Sequence, residues 1–283
     1  MKIAISAEST IDLSKELIQE FDIKIIPFTV HLGEKCAPDG VITPKEIFKY
    51  VKDTGVLPKT SAINEYQYDK YFDGLLKDYD AVIHFALSSE ISSACLNAKR
   101  IAEIKENVYV IDSKSLSTGI ALLAIYAAKL ARKGLSPKEI VEKVEARVPY
   151  VQASFVIDTL DYLYKGGRCS GLARFSAAVF RIKPQILVSN GKMSPGKKYR
   201  GKITPCVEKY CEDTLNQFNT PDLSVAFVTH TEATDEMRAI AYKALKDRGF
   251  KQIYDTTAGA TITSHCGPAT LGILYINDDL KEE

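Results

Sequence analysis

Through its first 150 residues the chain alternates short apolar runs with longer segments of helical period, and that alternation restricts the fold more than any other feature. KIAISA, IKIIPFTVHL, AVIHFAL and NVYVID read as four strands. Between them, Thr43-Pro44-Lys45-Glu46 and Ser136-Pro137-Lys138-Glu139 each combine a capping-box pattern with proline at the first helical position. Ile120 to Lys133 is largely apolar, as expected of a helix packed between a sheet and other elements. The expected N-terminal unit, residues 1–150, is a three-layer α/β/α domain with a mostly parallel sheet.

After Pro149 the pattern changes. VQASFVID reads as a strand, a short helix ends at LYKGGR, and the Asn-Gly of ILVSNGKM signals a hairpin. Helices near Thr204 to Phe218 and Ala233 to Arg248 alternate with strands at LSVAFVTH, KQIYDTT and LGILYIN. A second α/β domain with a mixed sheet is expected over residues 151–283. No long Gly/Ser-rich or Pro-rich linker intervenes, so the two domains should lie against each other with a ligand cleft between them.

Charge and cysteine usage exclude several classes. Lys+Arg 37 against Asp+Glu 36 leaves a formal charge of +1, which gives no reason to expect nucleic acid or an anionic membrane. No apolar run approaches transmembrane length, and MKIAISAEST lacks the features of a signal peptide. The six cysteines form no CxxC pair. A cytoplasmic protein is expected. GxGxxG after the first strand, GxxxxGK[ST], GxSxG and HExxH are absent, which removes sequence support for the common nucleotide, lipase and zinc-protease readings and leaves no metal site expected.

Three places invite chemistry. Thr60 and Ser61 follow Pro58 just before a helix, Ser92 and Ser93 begin the helix after AVIHFAL, and His265 lies beside the Gly267-Pro268 turn, where a loop tip would present it. The carboxyl ends of parallel strands open into a ligand crevice, and helix N-termini there offer N–H groups to an anion. Hydroxyls and amides suit an acid headgroup. Helix capping is the ordinary use of such serines, and a serine-dependent hydrolase with His265 as base is the alternative.

AESTIDLS, PFTV with Pro38-Asp39-Gly40, Thr60-Ser61, LSSEISSACLNA, VIDS, LDYLYKGGR, IKPQILVSNGKM, Lys197 to Arg200 and SHCGPATLGI occur in an order that resembles the DegV family over nearly the whole chain. The resemblance implies a two-domain α/β protein that holds a long-chain fatty acid in an interdomain tunnel. It further implies presentation of the carboxylate to a separate fatty acid kinase, giving an acyl phosphate for phospholipid synthesis. The protein would then be a lipid-binding, non-catalytic subunit without a cofactor.

By that resemblance, Thr60, Ser61, Ser92, Ser93 and His265 bind the carboxylate. Ser88 and Ser89 shape the turn, Arg168 and Gly267 support the site, and Arg200 meets the kinase. The sequence departs from the family at Glu8, which stands for an aspartate, at Ala62-Ile63-Asn64, at Ala94 in an SGT-like segment, and at the serine and cysteine flanking His265. Burying about fifteen methylenes at roughly 0.8 kcal/mol each gives on the order of 12 kcal/mol gross, against about 1.5 to 3 for each charged hydrogen bond. The tail should therefore dominate affinity and the head should set orientation. RFSAAVFRI and ILVSN are apolar stretches available to a tunnel.

Overall fold

The structure is a computed structural model in which residues 1–169 and 182–278 are described. Most of RFSAAVFRI lies outside those residues.

The first sheet is wholly parallel. Strands β1 (Ile3–Glu8), β2 (Ile23–Ile26), β6 (Ala81–Ala86) and β7 (Val108–Asp112) run in the order β2-β1-β6-β7. Helices α3 (Glu65–Leu76) and α4 (Ala94–Ala102) cover one side. On the other side lie α1 (Lys15–Phe21), α5 (Thr118–Arg132) and α6 (Pro137–Arg147). Both proline-initiated capping boxes form, at the starts of α2 (Pro44–Thr54) and α6.

IKIIPFTVHL is not one strand. Pro27 has no N–H to continue the ladder, and after it the chain leaves the parallel sheet. β3 (Thr29–Leu32) then pairs antiparallel with β4 (Lys35–Pro38) and β5 (Lys59–Ser61) in a small separate sheet. Val30, Leu32, Ile42 and Ile47 on this flap form a cluster with Ala260 of α10 (Ala260–Cys266).

The larger sheet takes all its strands from beyond residue 150. Its order is β10-β9-β8-β13-β11-β12, formed by β8 (Val151–Val156), β9 (Ile182–Ser189), β10 (Lys192–Arg200), β11 (Val225–Thr231), β12 (Gln252–Thr257) and β13 (Thr270–Ile276). Only β11 and β12 are parallel neighbours. Asn190 and Gly191 both have positive φ, at 49° and 81°, which gives the β9–β10 hairpin the backbone that its Asn-Gly pair predicts. α8 (Ile203–Gln217) and α9 (Asp235–Arg248) cover one face, and α5 covers the other.

The fold is thus α/β, with a parallel and a mixed sheet in two lobes that share a layer. α5 touches β1 and β6 on one side and β8, β11 and β13 on the other. Eleven of its 15 residues are buried, which is why its sequence is apolar almost all round. One continuous core runs from Ile5 and Phe85 through Leu123 to Phe227 and Leu274.

Candidate functional site

A cavity of about 280 Å³ opens where the carboxyl ends of the parallel strands meet the second lobe. This is the crevice position expected of an open parallel sheet. Leu87, Ile91 and Leu116 reach it from the loops after β6 and β7, and Phe28 from the turn after β2. The second lobe contributes Leu163 from α7 (Asp161–Gly166), Met193 from β10, and Ile262 from α10. A smaller apolar space of about 30 Å³ adjoins it, sharing Leu116, Ile262 and Cys266, and is bounded by Phe155 and Leu274 of the mixed sheet.

The polar part of the lining comprises Thr60, Ser92, Ser93, Thr261, His265 and Arg168. Thr60 and His265 are 205 positions apart in sequence, yet Thr60 Oγ1 and His265 Nε2 form a 2.9 Å hydrogen bond. Ser92 Oγ accepts from Ala94 N at 3.2 Å, which leaves its own O–H free to donate into the cavity. Ser93 occupies the N-cap of α4 without making a capping hydrogen bond. The ordinary use of a serine at a helix start therefore explains Ser92 in part and Ser93 not at all.

His265 sits in the last turn of α10, not at a loop tip. Burial, and after it the charge of Arg168, lower its pKa to about 4, so the imidazole is neutral near neutral pH. Its Nδ1 is buried without a hydrogen-bond partner, and Thr261 Oγ1 shares that condition. A buried unpaired polar atom costs about 1 to 3 kcal/mol. Gly166 explains how the ring fits: a Cβ there would stand 2.7 Å from His265 Nδ1. Gly167, at φ 69°, is the left-handed cap of α7, and Arg168 is exposed at the cavity rim with its guanidinium donating to the Gly166 carbonyl at 2.5 Å.

Two residues expected at the site stand outside the cavity lining. Ser61 neighbours Thr60 on β5, and successive strand residues face opposite ways; its Oγ bonds His31 Nε2 at 2.8 Å. Gly267 ends α10 at φ 74°, where a Cβ would collide with the Tyr162 ring, and its carbonyl accepts from Thr231 Oγ1. Ser88 and Ser89 act in the turn after β6. Ser88 Oγ donates to the Gly191 carbonyl at 2.9 Å, and Ser89 Oγ to Asp112 at 2.6 Å. Arg200 lies exposed at the end of β10.

Sequence reasoning missed Thr261 and the roles of three buried or half-buried acids around the site, of which only Glu8 was singled out, as a departure from the family. Glu8 accepts from Tyr68 Oη at 2.5 Å and from Leu87 N at 2.7 Å, so it anchors the start of the serine-bearing loop. Burial raises its pKa to about 7 despite those donors. Asp12 and Asp39 accept from the first N–H groups of α10 and its N-cap. Only the quoted AESTIDLS and Pro38-Asp39-Gly40 stretches marked these two in the sequence.

A serine hydrolase is not favoured by this geometry. His265 Nε2 is engaged with Thr60, not with a serine, and Nδ1 has no carboxylate to orient the ring. Among the described residues no His/Cys/Asp/Glu cluster could hold a metal ion, and no helix is long and apolar enough to cross a membrane.

Two packed α/β lobes with a cavity between them, lined by apolar side chains together with hydroxyls and a neutral imidazole, define a two-lobed α/β protein with an interlobe ligand crevice. A family model described as "Uncharacterised protein, DegV family" matches residues 2–278, and the chain belongs to that family. It is 30% identical over 287 residues to a fatty acid-binding protein of Thermotoga maritima, covering 96% of each chain. A DegV family protein from Thermus thermophilus, whose structure reports fatty acid binding, superimposes with a TM-score of 0.89 at 25% identity, covering 98% of this chain and 100% of that one. A stearic acid-binding protein from Eubacterium ventriosum gives 0.85 at 25% identity, covering 98% of each.

Proposed function

We propose that this protein holds a long-chain fatty acid, with the tail in the apolar chambers between the lobes and the carboxylate among Thr60, Ser92, Ser93 and His265. The observation that carries this reading is one cavity lined by apolar walls together with the hydroxyl-bearing side chains of Thr60, Ser92, Ser93 and Thr261 and by His265. A carboxylate only accepts hydrogen bonds. It is therefore matched by hydroxyls able to donate and by a neutral imidazole bearing one N–H, with the Arg168 guanidinium at the rim supplying positive charge. Ser61 contributes indirectly, through its bond to His31 across the flap, and Gly267 by shaping the end of α10.

Similarity to fatty acid-binding proteins, one of them a stearic acid binder, supports a long acyl chain as the ligand. The domains are taken as residues 1–150 and 151–283, with the tunnel between them. In this reading the chain is a non-catalytic, cytoplasmic carrier without a cofactor. It presents the bound acid to a separate fatty acid kinase, with Arg200 on the docking surface, for acyl phosphate formation and phospholipid synthesis. Mass spectrometry of organic extracts, combined with uptake of added oleate or palmitate, tests the ligand. A long-chain acid in the folded protein is the expected result, and repeated absence of any fatty acid together with no uptake would overturn it.

A further inference from the structure

STIDLS and Pro38-Asp39-Gly40 supply no group to the cavity lining, yet the fold brings their aspartates to one point. Asp12 Oδ1 accepts from Gly259 N at 2.7 Å. Asp39 accepts from Ala260 N at 2.8 Å through Oδ1 and from Thr261 N at 3.1 Å through Oδ2. The two aspartate side chains thus take three successive N–H groups at the start of α10. Gly259 is held between them: a Cβ there would lie 3.2 Å from Asp39 Oδ1 and 3.3 Å from Asp12 Oδ1.

Each aspartate side chain is itself fixed. Ser117 Oγ donates to Asp12 Oδ2 at 2.5 Å. Ser9 Oγ donates to Asp39 Oδ2 at 3.1 Å and accepts from Phe28 N at 3.1 Å, tying the pair to the turns after β1 and β2. α10 is a single short rod that carries Thr261, Ile262, His265 and Cys266 into the cavity. The flap that holds Asp39 also holds Thr60, so it grips α10 at both ends: by Asp39 at the start and by the Thr60–His265 hydrogen bond at the finish.

We propose that Asp12 and Asp39 are positioning residues that clamp the N-terminus of α10 and thereby set His265 and Thr261 at the distance a bound carboxylate requires. This rests on the fatty acid reading above and assigns its headgroup geometry to two residues that never touch the ligand. A simple helix cap would stabilise α10 and nothing else. A clamp that aims His265 has a separate signature, because head and tail of the ligand are read by different surfaces.

Equilibrium binding of palmitate and of hexadecanol, which share a tail and differ in the head, separates the two roles. The wild type is expected to prefer the acid by about tenfold or more, from hydrogen bonds to a charged group. Asp39→Ala should lower palmitate affinity by about tenfold while hexadecanol affinity stays within about twofold, and Asp39→Asn, which keeps one acceptor oxygen and the same shape, should fall between. Equal weakening of both ligands would reduce Asp39 to a structural cap, and a retained acid preference in both variants would remove the clamp from headgroup recognition. No acid preference in the wild type would instead overturn the carboxylate site, and the clamp with it. Should Asp39→Ala fail to fold, the shape-conserving Asn variant decides on the same criteria.

Discussion

His84 is fully buried and His265 partly buried, and burial holds both neutral, with pKa values lowered to about 3 and about 4, yet the regions around them differ in kind. His84 stands on β6 inside the first lobe, its Nδ1 bonded to Ser6 Oγ at 2.9 Å, with the rings of Tyr68, Tyr71 and Phe72 set edge-on around it. Its Nε2 has no hydrogen-bond partner and lies 4.0 Å from Glu8. His265 also has one orphan nitrogen, but it borders a cavity, bonds a residue from the other lobe, and leans on a glycine that makes room for it. An unpaired ring nitrogen is therefore not enough to mark a site. What separates the two is space for a ligand and convergence of donors from distant segments.

If that contrast is right, damage near His84 should cost stability and spare ligand choice. Phe72→Ala removes a fully buried ring from this cage and should destabilise the protein by about 3 to 5 kcal/mol, leaving the preference for palmitate over hexadecanol unchanged. Denaturant melts paired with the two binding measurements check this. Loss of the preference at full folding would join the two regions into one.

The next largest effect is expected from pH. Glu8 and Asp12 have folded pKa values raised to about 7 and about 8, chiefly by burial, so the stability they contribute is complete below the ordinary carboxylate range and is lost as pH rises through those values. His84 and His265 work in the opposite sense: their lowered pKa values give stability that is complete above about pH 6.5 and is lost as pH falls towards 4 and 3. Stability should therefore decline by on the order of 2 kcal/mol between about pH 6.5 and 8.5. Asp12→Asn should flatten the upper part of that decline. Urea midpoints that stay level or rise over this range would contradict it.

His265→Ala should lower palmitate affinity by about tenfold, change hexadecanol affinity little, and reduce phosphorylation of the bound acid by a fatty acid kinase. Retained affinity and turnover would return His265 to the same category as His84. The smallest change in stability is expected at Arg200, far from either region in character: exposed, at a strand end. Arg200→Glu should alter stability by less than about 0.5 kcal/mol and leave lipid content intact, while slowing association with the kinase at low salt. Equal association rates would remove it from the interface.

Much of the fold was legible because capping, turn and periodicity signals are local. The two Ser/Thr-Pro-x-Glu boxes, the Asn190-Gly191 hairpin and the all-round apolar α5 all form where their residues say they should. The flap was not legible, because Pro27 interrupts a run whose residues on both sides favour strand, and only its missing N–H separates β2 from β3. With β5 read as a strand, its alternation would have put Thr60 and Ser61 on opposite faces. α10 was the hardest element. Ala260 to Cys266 contains two threonines and an isoleucine, poor helix formers, and its first N–H groups are satisfied by aspartates more than 200 positions away. A helix held from so far off carries no local signal, so His265 read as a loop residue.

The central claim is that a fatty acid carboxylate sits at the hydroxyl and imidazole end of the cavity. Palmitate carrying a carbon label at its carboxyl, bound to the protein and followed by NMR across pH, measures that directly. A bound carboxyl resonance that fails to titrate near the usual carboxylate range, and that shifts on Ser93→Ala and His265→Ala, is the predicted result. A bound carboxyl that titrates like a solvent-exposed acid and ignores both substitutions would put the head elsewhere and contradict the claim.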